Sequence, residues 1–320
     1  MARVSKPGKI MVALLALPVS LGAFISEVKC QPLTGGVEAL EFNRRLKRSV
    51  PLDNTIAGFI DNSRVPLPES KSHVVGPEVF RAWIEKSQPH LMARLSEFSD
   101  DSVVEVAGRW DHADKTLANL GLPYRHLKAR QLTAETLAST RILIINCAGE
   151  LKRDKLQLVR DFVARGGYLL STDWALDNML TNTFPGTVAW NKGFNRKPIY
   201  EAHYVSPDPV LAPFTVAKAP WKMDQEAHLI KVLDRSRVRV LVSSPSLSLE
   251  DPDKEGVLAC IFPFGKGYVL HMVGHFDNNA RIAVGNFLPD SATDIGISLR
   301  QALAANFVAA ALKGERPEPR

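Results

Sequence analysis

The sequence predicts an α/β protein with a parallel sheet covered by helices on both faces. Three observations carry this. From Ser102 onward, short apolar runs alternate with amphipathic helical stretches. "RILIIN", residues 141–146, is a near-continuous apolar run rich in β-branched residues, as expected of a strand buried on both faces. "GGYLLSTDWALDNML", residues 166–180, reads as a strand that turns sharply into a helix.

The elements follow in order. Residues 103–107 form a first strand, and 111–120 a helix that stops at Gly121. Residues 124–127 are a second strand and 133–138 a short helix. The strand at 141–146 comes next. The helix at 152–165 turns Leu156, Val159, Phe162 and Val163 inward and ends at Gly166-Gly167. The strand from Tyr168 to Leu170 runs through Ser171-Thr172-Asp173-Trp174 into a helix at 175–180. The second half is more β-like: "PIYEAHYV" and "RVRVLVSS" read as strands. Residues 257–262 and 268–273 read as a hairpin turning through Gly265-Lys266-Gly267. A helix at 297–312 closes the chain. Right-handed crossovers between the parallel strands give a flavodoxin-like, doubly wound layout.

The 320 residues, 45% hydrophobic and 23% charged, have an ordinary globular composition with room for a sizeable core. The net charge of +6 sits partly in the leader and the tail. No basic stripe interleaved with aromatics occurs, so nucleic acid is not an expected partner. Arg3, Lys6 and Lys9 precede an apolar stretch at 11–25, the pattern of a signal peptide. The reading is an exported protein, periplasmic or extracellular. Residues 1–30 are the leader, cleaved or kept as an anchor; such an anchor is the one membrane contact expected. Residues 31–101 are a lead-in region with an amphipathic helix at 77–98. Within it "NRRLKR" reads as a solvated helix face, with a processing site as the other option. Residues 102–314 are the main domain and 315–320 a tail. Cys30, Cys147 and Cys260 are the three cysteines, and no pair has metal-ligand spacing.

"RILIINCAGE", "GGYLLSTDWALDNML" and "GKGYVLHMVGHFD" together resemble the class I glutamine amidotransferase-like superfamily, including its ThuA-like relatives. The resemblance covers about residues 102–312. It implies that Asp173 stands where an amidotransferase has its nucleophilic cysteine. It also implies that His275 and Asp277 stand where the family has histidine and glutamate. An aspartate cannot form a thioester with glutamine, and the small-residue elbow is missing. The resemblance therefore argues for the fold and against glutaminase activity. Cys147, at a strand end, is a weaker nucleophile candidate; its other reading is a buried thiol. Asn146, Gly149 and Trp174 are candidate binding residues.

Asp173 itself has two readings. It is a working carboxylate, or its side chain caps the following helix. His203, His228, His271, His275, Asp111 and His112 could converge as metal ligands near the carboxyl edge of the sheet, but their spacing is not diagnostic, so no metal and no cofactor is expected. Trp110, Trp174, Trp190, Trp221 and Tyr204 could line a sugar cleft or anchor the core. Two functions remain: a non-catalytic binding or scaffold module for a small molecule such as a carbohydrate, or a hydrolase of carbohydrate-like or amide substrates using Asp173, His275 and Asp277.

Overall fold

A computed structural model describes residues 89–93, 97–111, 113–211, 218–224, 226–275 and 299–318. All belong to one compact unit, 43–320. The expected leader, Cys30 and "NRRLKR" lie outside the described residues, as does most of the helix expected at 77–98, of which Pro89–Ala93 (α1) is helical. Among the described residues, no helix is long and apolar enough to cross a membrane.

The strands are β1 (Val103–Val106), β2 (Arg125–Leu127), β3 (Ile142–Ile145), β4 (Tyr168–Thr172), β5 (Val188–Phe194), β6 (Ile199–Tyr204), β7 (Lys218–Lys222), β8 (His228–Val232), β9 (Arg239–Ser243), β10 (Val257–Phe264) and β11 (Gly267–Met272). The longer helices are α2 (Ala113–Leu120), α3 (Arg153–Ala164) and α4 (Leu299–Lys313). A nine-stranded sheet has the order β2-β1-β3-β4-β11-β10-β9-β6-β7; β5 and β8 form a separate ribbon. The first five strands are parallel, with Val103 opposite Ile142, Ile142 opposite Tyr168, and Tyr168 opposite Tyr268. The β10–β11 hairpin reverses direction, and the sheet continues antiparallel through β9, β6 and β7. The parallel half, with β11 in fifth place, has the 2-1-3-4-5 order of flavodoxin-like sheets.

Every residue of β1, β3, β4 and β11 is buried. Successive side chains alternate between faces, so both faces are covered. On one face Tyr168 packs on Phe307 of α4 and on Tyr268, and its hydroxyl donates to the Glu315 carbonyl at 2.6 Å. On the other, Phe262 and Phe264 of β10 pack edge-on against Phe184, and the Arg160 guanidinium of α3 lies 4.7 Å over Phe264. Val159, Phe162 and Val163, spaced three and one apart, are the buried stripe of α3. A fully buried side chain such as Phe262 contributes about 1.5–3 kcal/mol.

Some expectations change. Residues 133–138 are linked turns rather than a helix. Thr133 and Thr136 bond each other's backbone N–H through their hydroxyls, at 3.3 and 3.0 Å, the reciprocal pattern of a helix start, but the chain goes on for only one turn, closed by Leu137 N to the Thr133 carbonyl. The helix after β4 begins as one π-helical turn, Leu176–Leu180.

Candidate functional site

The carboxyl ends of the parallel strands gather the polar groups. Beyond β1, Asp111 accepts a hydrogen bond from the Thr172 hydroxyl at 2.6 Å. That same hydroxyl accepts the backbone N–H of Cys147 at 3.1 Å. The ends of β1, β3 and β4 are thus locked together by one buried threonine. Gly149 has φ +71°, and a Cβ there would meet Ala175 at 2.5 Å, so the loop after β3 can lie directly on the turn after β4.

Asp173 occupies that turn, immediately after β4, in the left-handed region at φ 44°. Aspartate is among the few non-glycine residues that enter this region readily. Its backbone carbonyl, not its side chain, accepts from Leu176 N at 2.9 Å to start the helix. Its carboxylate Oδ1 accepts from the backbone N–H of His228 at 3.0 Å. The helix-capping reading of the side chain is therefore corrected: the carboxylate ties the turn to β8. Burial pushes its pKa up to about 7. The His228 N–H and the nearby His275 oppose the rise, while Asp224 and Asp111 add to it.

His275 follows β11. Its Nε2 lies 3.8 Å from Asp173 Oδ2, and its Nδ1 lies 3.2 Å from Asp224 Oδ2, just past β7. Cys147 completes the group: its Sγ, an Asp173 carboxylate oxygen and a His275 ring nitrogen all lie within 4.8 Å of one another. All three residues are buried. Burial first, and then the Asp173 charge, push the Cys147 thiol well above its ordinary pKa. A thiolate nucleophile needs the opposite environment.

Asn146 and Gly149 line a cavity of about 340 Å³ together with Gly108, Arg109, Ala148 and Glu150. It sits at the carboxyl ends of β1 and β3, where the winding of the sheet reverses. Arg109 and Glu150 pair at 3.2 Å and are both exposed. Asn146 Nδ2 donates to the buried Glu105 and to the Val106 carbonyl, but its Oδ1 has no partner among the described residues. Burial pushes Glu105 to about 7, against the lowering effect of His126, whose Nδ1 lies 2.5 Å from its carboxylate. Sequence reasoning missed Glu105, Arg109, Glu150 and Asp224 as members of this edge.

The other candidates separate. Asp277 and His112 lie outside the described residues. His203 pairs with Glu201 on β6. His271 is enclosed, 2.9 Å from the Ser171 hydroxyl, and burial lowers its pKa to about 3. His228 is stacked between Trp174 and Trp190, at 5.3 and 4.0 Å, and its Nδ1 bonds Asp177 at 2.6 Å. Trp174 also donates to the Glu226 carbonyl at 2.8 Å. It does not line the cavity, and its ring is committed to the stack on His228. Trp221 is buried, donating to the Val273 carbonyl at 2.7 Å. Trp110 differs, being 54% exposed on the Arg109 loop.

No family model and no curated protein matches the chain. Among solved structures it is similar to a cytoplasmic protein from Salmonella typhimurium, at 12% identity over 65% of this chain and 98% of that one, with a TM-score of 0.44. It is similar to a ThuA-like protein from Bacteroides uniformis, at 12% identity over 61% of this chain and 90% of that one, TM-score 0.42. It is also similar to a glutamine amidotransferase from Thermotoga maritima, at 11% identity over 55% of this chain and 75% of that one, TM-score 0.39. The strand order, not these likenesses, carries the fold.

Proposed function

We propose that this chain is an exported, non-catalytic binding module whose ligand is a small polar molecule of carbohydrate type. The observation that carries the reading is the cavity at the carboxyl ends of β1 and β3. Open α/β sheets bind ligands at that reversal point. The groups around it suit a polyol. Arg109 and Glu150, both exposed, offer a donor and an acceptor at its lining, and Ala107, Ala148 and Leu151 offer apolar surface beside them. The absence of catalysis is argued from the turn after β4, where a carboxylate stands at the apex and the nearby thiol is held protonated.

The hydrolase alternative has one observation in its favour: Asp173 near 7 lies in the range of a general acid or base at neutral pH. A thermal-shift screen of the mature chain in a chelator, against monosaccharides, oligosaccharides and amides, tests the binding reading. A sugar should raise Tm by mass action. Arg109→Ala should abolish that rise while leaving the ligand-free Tm near its starting value, because the Arg109–Glu150 pair is exposed. No shift with any member would end the carbohydrate reading; turnover of a stabilising ligand, lost in Asp173→Asn, would replace the module with the hydrolase. Export is tested separately, by fusing residues 1–35 to a reporter active only outside the cytoplasm. A silent fusion would remove it.

A further inference from the structure

We infer that Cys147, Asp173 and His275 form a binding site for one thiophilic divalent cation of the zinc type, with Asp224 orienting the histidine. The inference concerns the same sheet edge as the proposed ligand cavity but rests on a separate group of side chains. Three strand ends, those of β3, β4 and β11, each contribute one donor atom, and the donors lie within 4.8 Å of one another.

The geometry distinguishes a cation site from a hydrogen-bonded triad. His275 Nε2 and Asp173 Oδ2 are 3.8 Å apart, too far for a hydrogen bond. Two ligands at about 2.0–2.1 Å from a tetrahedral ion stand roughly 3.4 Å apart, so this pair needs a closure of only a few tenths of an ångström, and the Cys147 sulfur lies within 4.8 Å of both. The other oxygen of Asp173 is already held by His228 N, which leaves Oδ2 as a single directed donor. The other nitrogen of His275 is 3.2 Å from the Asp224 carboxylate. A carboxylate behind a ligating imidazole fixes its orientation and tautomer, and is a recurring support of zinc-bound histidine.

The donor set chooses the class of ion. One sulfur, one imidazole and one carboxylate favour zinc-like ions over magnesium or calcium, which prefer all-oxygen shells. Three protein ligands leave a fourth position for water or for a ligand oxygen. Binding displaces the Cys147 thiol proton to solvent, and the thiolate bonds the ion.

The test is a cobalt(II) titration of the chelator-stripped full chain under anaerobic conditions. Expected is a near-ultraviolet thiolate-to-cobalt charge-transfer band that saturates at one ion per chain. Cys147→Ser should remove the band, and Cys260→Ser should leave it unchanged. Asp224→Asn should weaken affinity by about tenfold or more, with the band retained. His275→Ala should also abolish the rise in Tm that zinc gives the unsubstituted chain, a readout that serves if Cys147→Ser fails to fold. No band on a chain shown to be folded by circular dichroism would overturn the inference, as would a band that survives in Cys147→Ser. Because the sugar screen is run in chelator, a failure here leaves carbohydrate binding standing, and the converse also holds.

Discussion

The carboxylate of Asp173 accepts the backbone N–H of His228 at 3.0 Å, across 55 residues of sequence. Two parts of the chain with different jobs are joined by this bond. Asp173 ends the central strand β4, and His228 opens β8 and carries the Trp174–His228–Trp190 stack. A residue that reads locally as a helix cap is in fact a long-range fastener.

Asp173→Asn follows from that bond. The amide oxygen can still accept from His228 N, so at low pH the substitution should cost about 1 kcal/mol or less. The pH dependence has a definite sign. The folded pKa is raised from 3.8 to about 7, so the unfolded chain gives up this proton first. The contribution of Asp173 to stability is fully present below pH ~4 and is lost as pH rises toward 7. Asparagine has no such loss. Urea midpoints of the two chains from pH 4 to 8 should therefore diverge in favour of Asp173→Asn as pH rises, and level off above 7. A flat difference would show that burial does not raise this carboxyl. His275, Asp224 and Asp111 face the same group and set the exact midpoint.

Cys147 should be inert in the folded chain. Its thiol is buried and held protonated by desolvation and the Asp173 charge. Alkylation at pH 7, followed by peptide mass spectrometry, should label Cys147 at least tenfold more slowly than in the urea-unfolded chain. Rapid native labelling would mean a thiolate, and would return Cys147 to the list of nucleophiles.

Asp208 and Arg239 form an ion pair that is almost wholly enclosed, and Asp208 also accepts from the backbone of Val210, Leu211 and Glu318. Removing one member strands the other charge. Asp208→Ala should cost about 3–5 kcal/mol in urea unfolding, whereas exposed Arg109→Ala, which breaks a surface pair, should cost under about 1 kcal/mol. Equal costs would refute the burial argument.

The legible parts of the sequence are those where one physical signal dominates. β3 reads directly as a run buried on both faces, β4 as an apolar strand running into a sharp turn, and Gly265-Lys266-Gly267 marks the hairpin of β10 and β11. β7 was missed because Lys218–Lys222 contains Pro220, which suits only an edge, and β7 is the edge of the sheet. β5 was missed because Val188–Phe194 mixes half-exposed polar residues with Gly193. At the site, the strand-to-helix turn made Asp173 visible, and the strand end made Cys147, Asn146 and Gly149 visible. Asp224 was invisible, since it reaches His275 from beyond β7 and no local spacing encodes that approach.

Asp173→Cys puts a thiol at the apex of the turn after β4, with His275 nearby and Asp224 behind that histidine. In outline this is the nucleophile, base and orienting acid of a cysteine hydrolase. We expect no glutaminase activity. Trp174, next to the apex, is fixed by its stack on His228 and its bond to the Glu226 carbonyl, so the flank that an acyl group needs is filled. Substitution also removes the carboxylate that holds His228 N, leaving that buried donor unpaired at a cost of about 1–3 kcal/mol and loosening the turn. The measurement is ammonia released from glutamine by Asp173→Cys, with Asp173→Cys/His275→Ala as the blank. Release above that blank would show a working base and an open acyl site, and the non-catalytic reading would have to be given up.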